Sequence, residues 1–354
     1  MSIPTLDGIT AKTISSARIT TRVLFSGADD AVPVLFIHGN ASNATFWEEI
    51  MLGLPAGFRA IAPDQRGYGE ADPTLKIDAT RGLGDLSDDA FALLDTLGID
   101  KAHVIGHSLG GAVVWRMMAD SPERLLSVTL VCPGSPYGYG GTRDLEGTPN
   151  YPDFAGSGGG VVNQAFAQRM KDGDRSIENP QSAPRIVMNT FYWKPPFTSA
   201  REEELLSSLL SEHIGDREYP GDIVPSPNWP FVSPGVWGPA NALSPKYVGD
   251  YVTRLINNAV KPAVLWVRGS HDQIISDQSL FDVGTLGALG AIPGWPGADV
   301  YPSQPMVSQS RAVLEKYKAN GGQYEEVVIE DTGHTPYVEK PEEFNTHFHK
   351  HIGA

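Results

Sequence analysis

Ser108 stands in the run VIGHSLGG, with Gly106 and Gly110 two positions to either side. KAHVIGH before it reads as a short buried strand and LGGAVVWRMMAD after it as a helix, so the serine lies on a strand-to-helix turn. A bulky side chain at either glycine would clash in so tight a bend. Serine is a weak nucleophile until a base takes its proton and a third group orients that base. In a parallel sheet, groups of this kind sit at the carboxyl ends of strands. The apolar run VLWVRG is followed by SHDQ, which offers Asp272, and EEVVIED by TGHTP, which offers His334. Asp277 and Asp331 compete with Asp272 as the acid. Asp277 lies further into an insertion, and Asp331 is too near His334 in sequence to come from a separate strand end. In the acyl-transfer chemistry these types allow, His334 accepts the Ser108 proton and later protonates the leaving group. Asp272 then holds the imidazole and stabilises its charged form.

The elements around these residues alternate. ITAKTISSARITTRVLFSG reads as an antiparallel pair of strands. VPVLFIHG is a continuous apolar run, as a strand buried on both faces requires. ATFWEEIMLGL is a predicted helix, FRAIAPD a strand, DLSDDAFALLDTLG a helix capped near Gly98, and LLSVTLVCP a strand. This predicts an α/β chain with a mostly parallel central sheet and helices on both faces. The pattern stops after about residue 133. Residues 134–260 are dominated by Gly, Pro and aromatics, with helical stretches at SAREEELLSSLLSEH and SPKYVGDYVTRLINNAV, and are too long for an ordinary loop. They read as a cap inserted between a first core part, 1–133, and a second, 261–354. A smaller Gly/Pro-rich insertion, GTLGALGAIPGWPGADVYPSQP, follows inside the second part.

With these motifs in place, the chain resembles the α/β-hydrolase superfamily. HGN after the third strand looks like the family's oxyanion turn, and DQRGYG after the fourth like its D-x-R-G-x-G loop. GHSLGG looks like its nucleophile elbow, and VRGSHD and TGHTPYVEKPEEF like its acid and histidine segments. The resemblance covers almost the whole chain apart from the two insertions. It implies backbone oxyanion donors at Leu109 and at Asn40, with Ala41 the alternative to Asn40. Serine at the elbow, where epoxide hydrolases and haloalkane dehalogenases carry aspartate, implies acyl transfer: a carboxylic ester or lactone hydrolase. Carbon–carbon bond hydrolysis, cofactor-free perhydrolysis, or a ligand-sensing receptor that keeps its triad are the alternatives. No cofactor is implied, and no metal-ligand spacing of diagnostic quality is present.

The cap aromatics point to a medium-sized hydrophobic substrate. Tyr137, Tyr192, Trp193 and Trp229 are the candidate substrate contacts, with Trp295 and Tyr301 of the second insertion at the rim; for most of the cap aromatics, packing of the cap on itself is the plainer reading. The GSGGG run, residues 156–160, lacks the Lys-Ser/Thr of a phosphate loop and reads as a flexible loop. His38 and His107 flank motifs and read as turn-shaping residues, and Arg66 as a loop anchor. His347, His349 and His351 alternate in a predicted helix, where they do not share one face, and read as a solvated tail.

The bulk numbers limit the partners. Of 354 residues, 41% are hydrophobic and 19% charged, a globular balance. A formal net charge of −15 disfavours nucleic acid and anionic membrane surfaces. The single cysteine, Cys132, lies in an apolar run and reads as a buried structural thiol, and a chain without disulfides fits a reducing compartment. With no signal-peptide pattern and no membrane-spanning run, a cytoplasmic location is expected. A homo-oligomer is compatible with the sequence but not readable from it.

Overall fold

Gly, Pro and polar turns cut the apolar runs into strands that share one sheet. In the computed structural model, which describes residues 3–353, these are β1 (Thr10–Ser15), β2 (Thr20–Ser26), β3 (Val32–Ile37), β4 (Phe58–Pro63), β5 (Ala102–His107), β6 (Leu125–Val131), β7 (Val264–Gly269) and β8 (Tyr324–Ile329). Their order across the sheet is β1-β2-β4-β3-β5-β6-β7-β8. β2 pairs antiparallel with β1 and with β4, and every other neighbouring pair is parallel. The central strands are apolar on both faces because helices cover both. The longer helices used below are α1 (Gly84–Thr96), α2 (Leu109–Asp120), α3 (Glu202–Leu209), α4 (Tyr251–Asn257), α5 (Met306–Ala319) and α6 (Pro341–Ile352).

Two apolar clusters flank the sheet. One gathers Leu86, Val113, Trp115, Met117, Leu255, Val313 and Tyr317 from α1, α2, α4 and α5. The other gathers Phe36, Trp47, Tyr337, Phe344 and Phe348, and runs on into Tyr192, Trp193, Leu205, Leu206 and Leu209 between β6 and β7. The stretch read as a cap therefore shares a core with the sheet. Its last helix, α4, packs on α2 and α5 in the core's own helical layer.

Several local expectations are corrected. The helix expected over SPKYVGDYVTRLINNAV is broken at Gly249, whose φ of +61 no helix accommodates, leaving a 3-10 turn at Pro245–Tyr247 and then α4. GSGGG is packed rather than flexible: Gly156 N–H donates to the Val232 carbonyl and Gly159 N–H to Asn241 Oδ1. The carboxyl-terminal helix is docked, with Phe344, Phe348 and Ile352 buried, and the His351 ring bonds the Val128 carbonyl at 2.9 Å, so it is not a solvated tail. Tyr301 is fully buried, not at a rim. Its hydroxyl donates to the Ala155 and Gly156 carbonyls. No helix among the described residues is long and apolar enough to cross a membrane.

Candidate active site

β5 ends at His107 and α2 begins at Leu109, so Ser108 alone makes the turn, with φ 55° and ψ −117°. Such a conformation, normally left to glycine, costs about 1–3 kcal/mol and is imposed by its surroundings. Here Ser108 N–H donates to the Val131 carbonyl, and the Ser108 carbonyl accepts from the Ala112 and Gly134 N–H groups, each at 3.0 Å. The flanking glycines are required by close approach. A Cβ on Gly106 would lie 2.3 Å from the Gly110 carbonyl oxygen, and one on Gly110 2.2 Å from that of Ile37. Both obstacles are backbone and cannot rotate away. Gly106→Ala is expected to destabilise the fold by about 1–3 kcal/mol, read as a lowered melting temperature, and to displace Ser108.

The loops after β7 and β8 bring Asp272 and His334 together. His334 Nδ1 lies 2.8 Å from Asp272 Oδ2, with both side chains buried. The other Asp272 oxygen, Oδ1, accepts from the Ile274 and Ile275 N–H groups, which fixes the carboxylate. The competing acids are engaged elsewhere: Asp277 accepts from the Ser308 N–H and hydroxyl, and Asp331 pairs with Lys194. The histidine loop is tied to the elbow through His107, whose Nε2 lies 2.8 Å from the His334 carbonyl and whose ring centroid is 4.6 Å from that of His334. Burial holds His107 well below the usual histidine range, so it is a neutral donor to that carbonyl. Ser108 Oγ forms no hydrogen bond to His334 among the described residues. Such a link is commonly long without substrate and tightens when one docks.

Cys132, the residue after β6, lies beside this pair. One ligand atom each from Cys132, Asp272 and His334 lies within 4.8 Å of the others. Burial, then the Asp272 charge, push the thiol well above its usual range, so it stays protonated. The trio is of a type that can hold a metal, but the His334–Asp272 hydrogen bond and a protonated thiol already account for it.

The HGN turn borders the elbow: a Cβ on Gly39 would lie 3.1 Å from the Ser108 Cβ. His38 anchors it. Burial lowers the His38 pKa to about 4. Its neutral ring bonds the Gly39 carbonyl through Nδ1 and accepts from Gln65 N–H at Nε2. Of the two alternative donors in the turn, the Ala41 N–H is taken by Glu212 Oε2 at 3.1 Å. No acceptor among the described residues takes the Asn40 N–H. Leu109, first in α2, also has a free N–H, since the first turn of a helix has no internal acceptors. Arg66 is a loop anchor, with Nε and Nη2 each 2.8 Å from an Asp89 oxygen on α1.

The candidate substrate contacts separate. Tyr192 donates its hydroxyl to the Ala41 carbonyl at 2.8 Å, and its own carbonyl accepts from the Thr335 N–H and hydroxyl. Trp193 is buried against Phe197 and Tyr192. Tyr137 packs in the cluster of α1, α2 and α4. Trp229 packs on Tyr301 in a third, small cluster, its indole N–H donating to the Pro293 carbonyl. Half-buried apolar surface nearer the acid loop comes from Phe191 and Phe281, edge to face at 5.0 Å, which the sequence did not single out as a pair. Glu212 and Glu339 were also missed. Glu339 accepts from the Lys194 and Gly333 N–H groups, which ties the stretch read as a cap to the histidine loop, and burial raises its pKa to about 7. In sequence each is an acidic residue near a helix end, indistinguishable from a solvated one.

Comparison with known proteins agrees with the fold. Residues 32–156 match the family described as alpha/beta hydrolase fold. An AB hydrolase superfamily protein of Bacillus subtilis is 36% identical over 121 residues, 34% of this chain and 42% of the relative. The 2-hydroxy-6-oxo-6-phenylhexa-2,4-dienoate hydrolase of Burkholderia cepacia is 33% identical over 117 residues, 32% of this chain and 40% of the relative. The chain thus spans less than half the length of these curated relatives. A solved serine hydrolase from Cycloclasticus zankles superposes with a TM-score of 0.61 over 97% of both chains at 15% identity, a likeness of fold.

Proposed function

We propose that this chain is a serine hydrolase of the α/β-hydrolase fold that opens a medium-sized hydrophobic, aromatic-bearing ester or lactone through an acyl-enzyme on Ser108. The observation that carries the reading is the buried His334–Asp272 pair at 2.8 Å, set at the strand ends next to a strained serine elbow. Ser108 Oγ attacks the carbonyl carbon while His334 Nε2 takes its proton. The Asn40 and Leu109 N–H groups receive the charge that develops on the carbonyl oxygen, where fixed donors are most effective. Collapse expels the alkoxide, protonated by His334, and a water activated by the same base releases the acid. The α2 amino terminus adds a partial positive charge at the oxyanion. The half-buried Phe191–Phe281 pair, which packs on the same core cluster as Ile274 of the acid loop, supports a preference for an apolar substrate.

A second reading, hydrolysis of a carbon–carbon bond beside a carbonyl, is favoured by the likeness to the Burkholderia cepacia dienoate hydrolase. A panel of nitrophenyl esters of graded acyl length, aromatic lactones and a vinylogous 1,5-diketone decides between them. The expected result is saturable ester or lactone turnover with a trapped acyl adduct on Ser108. Inertness on every ester and lactone with cleavage of the diketone replaces the first reading by the second.

A further inference from the structure

The oxyanion turn is not self-supporting. Ala41, its last residue, has φ 45°, in the left-handed region that a residue with a Cβ adopts only under constraint. The constraint comes from 151 and 171 residues away, from the stretch read as a cap. Glu212 Oε2 accepts the Ala41 N–H at 3.1 Å, and the Tyr192 hydroxyl donates to the Ala41 carbonyl at 2.8 Å, so both polar groups of Ala41 are held. The next residues are held the same way: Ser208 at the end of α3 accepts the Asn43 N–H at 2.8 Å and donates to Asn43 Oδ1 at 2.7 Å. Glu212 is 4% exposed, and its second oxygen, Oε1, has no hydrogen-bond partner among the described residues. Leaving a carboxyl oxygen buried and unpaired is costly, so stability alone is a poor reason for an acid here.

We propose that the cap completes the oxyanion turn, with Glu212 as its positioning residue: by holding the Ala41 N–H, supported by Tyr192 on the Ala41 carbonyl, it leaves the Asn40 N–H free and fixed beside Ser108. The inference rests on the serine-hydrolase reading above. Burial pushes the Glu212 carboxyl well above the usual carboxylate range, which favours an uncharged acceptor next to a developing oxyanion. Glutamine keeps that acceptor, whereas methionine keeps the length and loses it.

The test is phosphonylation of the full chain by an alkyl fluorophosphonate. Ser108 Oγ bonds to phosphorus, fluoride leaves, the serine proton passes to His334, and the P=O oxygen occupies the oxyanion position. Intact mass gives the limiting rate constant and the half-saturating concentration separately. Glu212→Met is expected to lower the limiting rate constant about 10- to 100-fold, less than or comparable to deleting an oxyanion donor, with the half-saturating concentration within about threefold. Glu212→Gln is expected to recover the rate to within about threefold of wild type. Equal rates for wild type and Glu212→Met, or equal losses for the Met and Gln variants, overturn the proposal. If Glu212→Met does not fold, Tyr192→Phe decides: a slowed limiting rate constant supports the clamp, and a wild-type one overturns it. Failure of the wild type to be labelled at Ser108 overturns the serine-hydrolase reading itself. Labelling of wild type but not of Ser108→Ala, with no effect at Glu212, overturns only the clamp.

Discussion

Ser108→Ala is expected to abolish turnover of whichever ester or lactone the wild type prefers, with kcat falling on the order of 10⁶-fold. The elbow explains why the loss should be so complete. Ser108 is the one residue between β5 and α2, and its unusual φ and ψ are set by backbone bonds to Val131, Ala112 and Gly134 rather than by its own hydroxyl. Alanine therefore inherits the conformation, and the variant should fold and melt close to wild type. What disappears is the only group in the proposed mechanism that can form a covalent acyl bond. The Cys132 thiol cannot stand in for it, being fully buried and held protonated. The measurement is steady-state turnover of both proteins on the preferred substrate, with mass spectrometry of a rapidly quenched sample. An adduct on wild type and none on the variant establishes Ser108 as the nucleophile. Undiminished turnover by the variant removes the acyl-enzyme from the mechanism.

The parts of this site that are short-range in sequence are legible in the sequence alone. Gly106, Ser108 and Gly110 sit within five residues, and the need for glycine at 106 is a local steric fact that the Gly110 carbonyl accounts for, while at 110 the obstacle is the Ile37 carbonyl at the end of β3. The apolar runs ending at Ile37, His107, Val131, Gly269 and Ile329 announce buried strands because nothing else accommodates them, and the carboxyl ends at Gly269 and Ile329 then locate Asp272 and His334. The stretch 134–260, read as a cap, was legible only as an interruption. Its two small sheets pair strands of two or three residues, too short for periodicity to register, at Ile214–Gly215 with Tyr219–Pro220 and Ile223–Pro225 with Val232–Pro234. The roles of its aromatics were not legible either, because an apolar ring is equally suited to a pocket wall and to a core. Tyr192 shows the ambiguity most directly: singled out as a substrate contact, it spends its hydroxyl on the Ala41 backbone. Glu212 had no signal at all, since what distinguishes it from a surface acid is a partner 171 positions away.

The second large effect is expected at the acid. Asp272→Asn should reduce kcat by about 10⁴-fold while leaving the fold intact. The carboxylate accepts from three donors: the Ile274 and Ile275 N–H groups on Oδ1 and the His334 ring on Oδ2. An asparagine can place its carbonyl oxygen toward only one of these sets. With the oxygen on the two backbone N–H groups, its NH₂ faces His334 Nδ1. The imidazole must then present a lone pair at Nδ1 and carry its proton on Nε2, the atom that has to accept from Ser108. The base is switched off by tautomer rather than by displacement, and the counter-charge for the imidazolium is lost as well. The opposite amide orientation would set the NH₂ against two N–H donors, which the loop geometry penalises. Two measurements separate this account from simple disruption. The melting temperature of Asp272→Asn should stay near wild type, whereas a variant that unhinged the acid loop would melt early. Its residual rate should rise with pH, as hydroxide takes over the role of the missing base, instead of levelling off as is expected where an intact general base sets the rate. A variant that keeps more than about a tenth of wild-type kcat would place the acid elsewhere. Asp277 and Asp331, committed to Ser308 and Lys194, would then have to be re-examined by the same substitution.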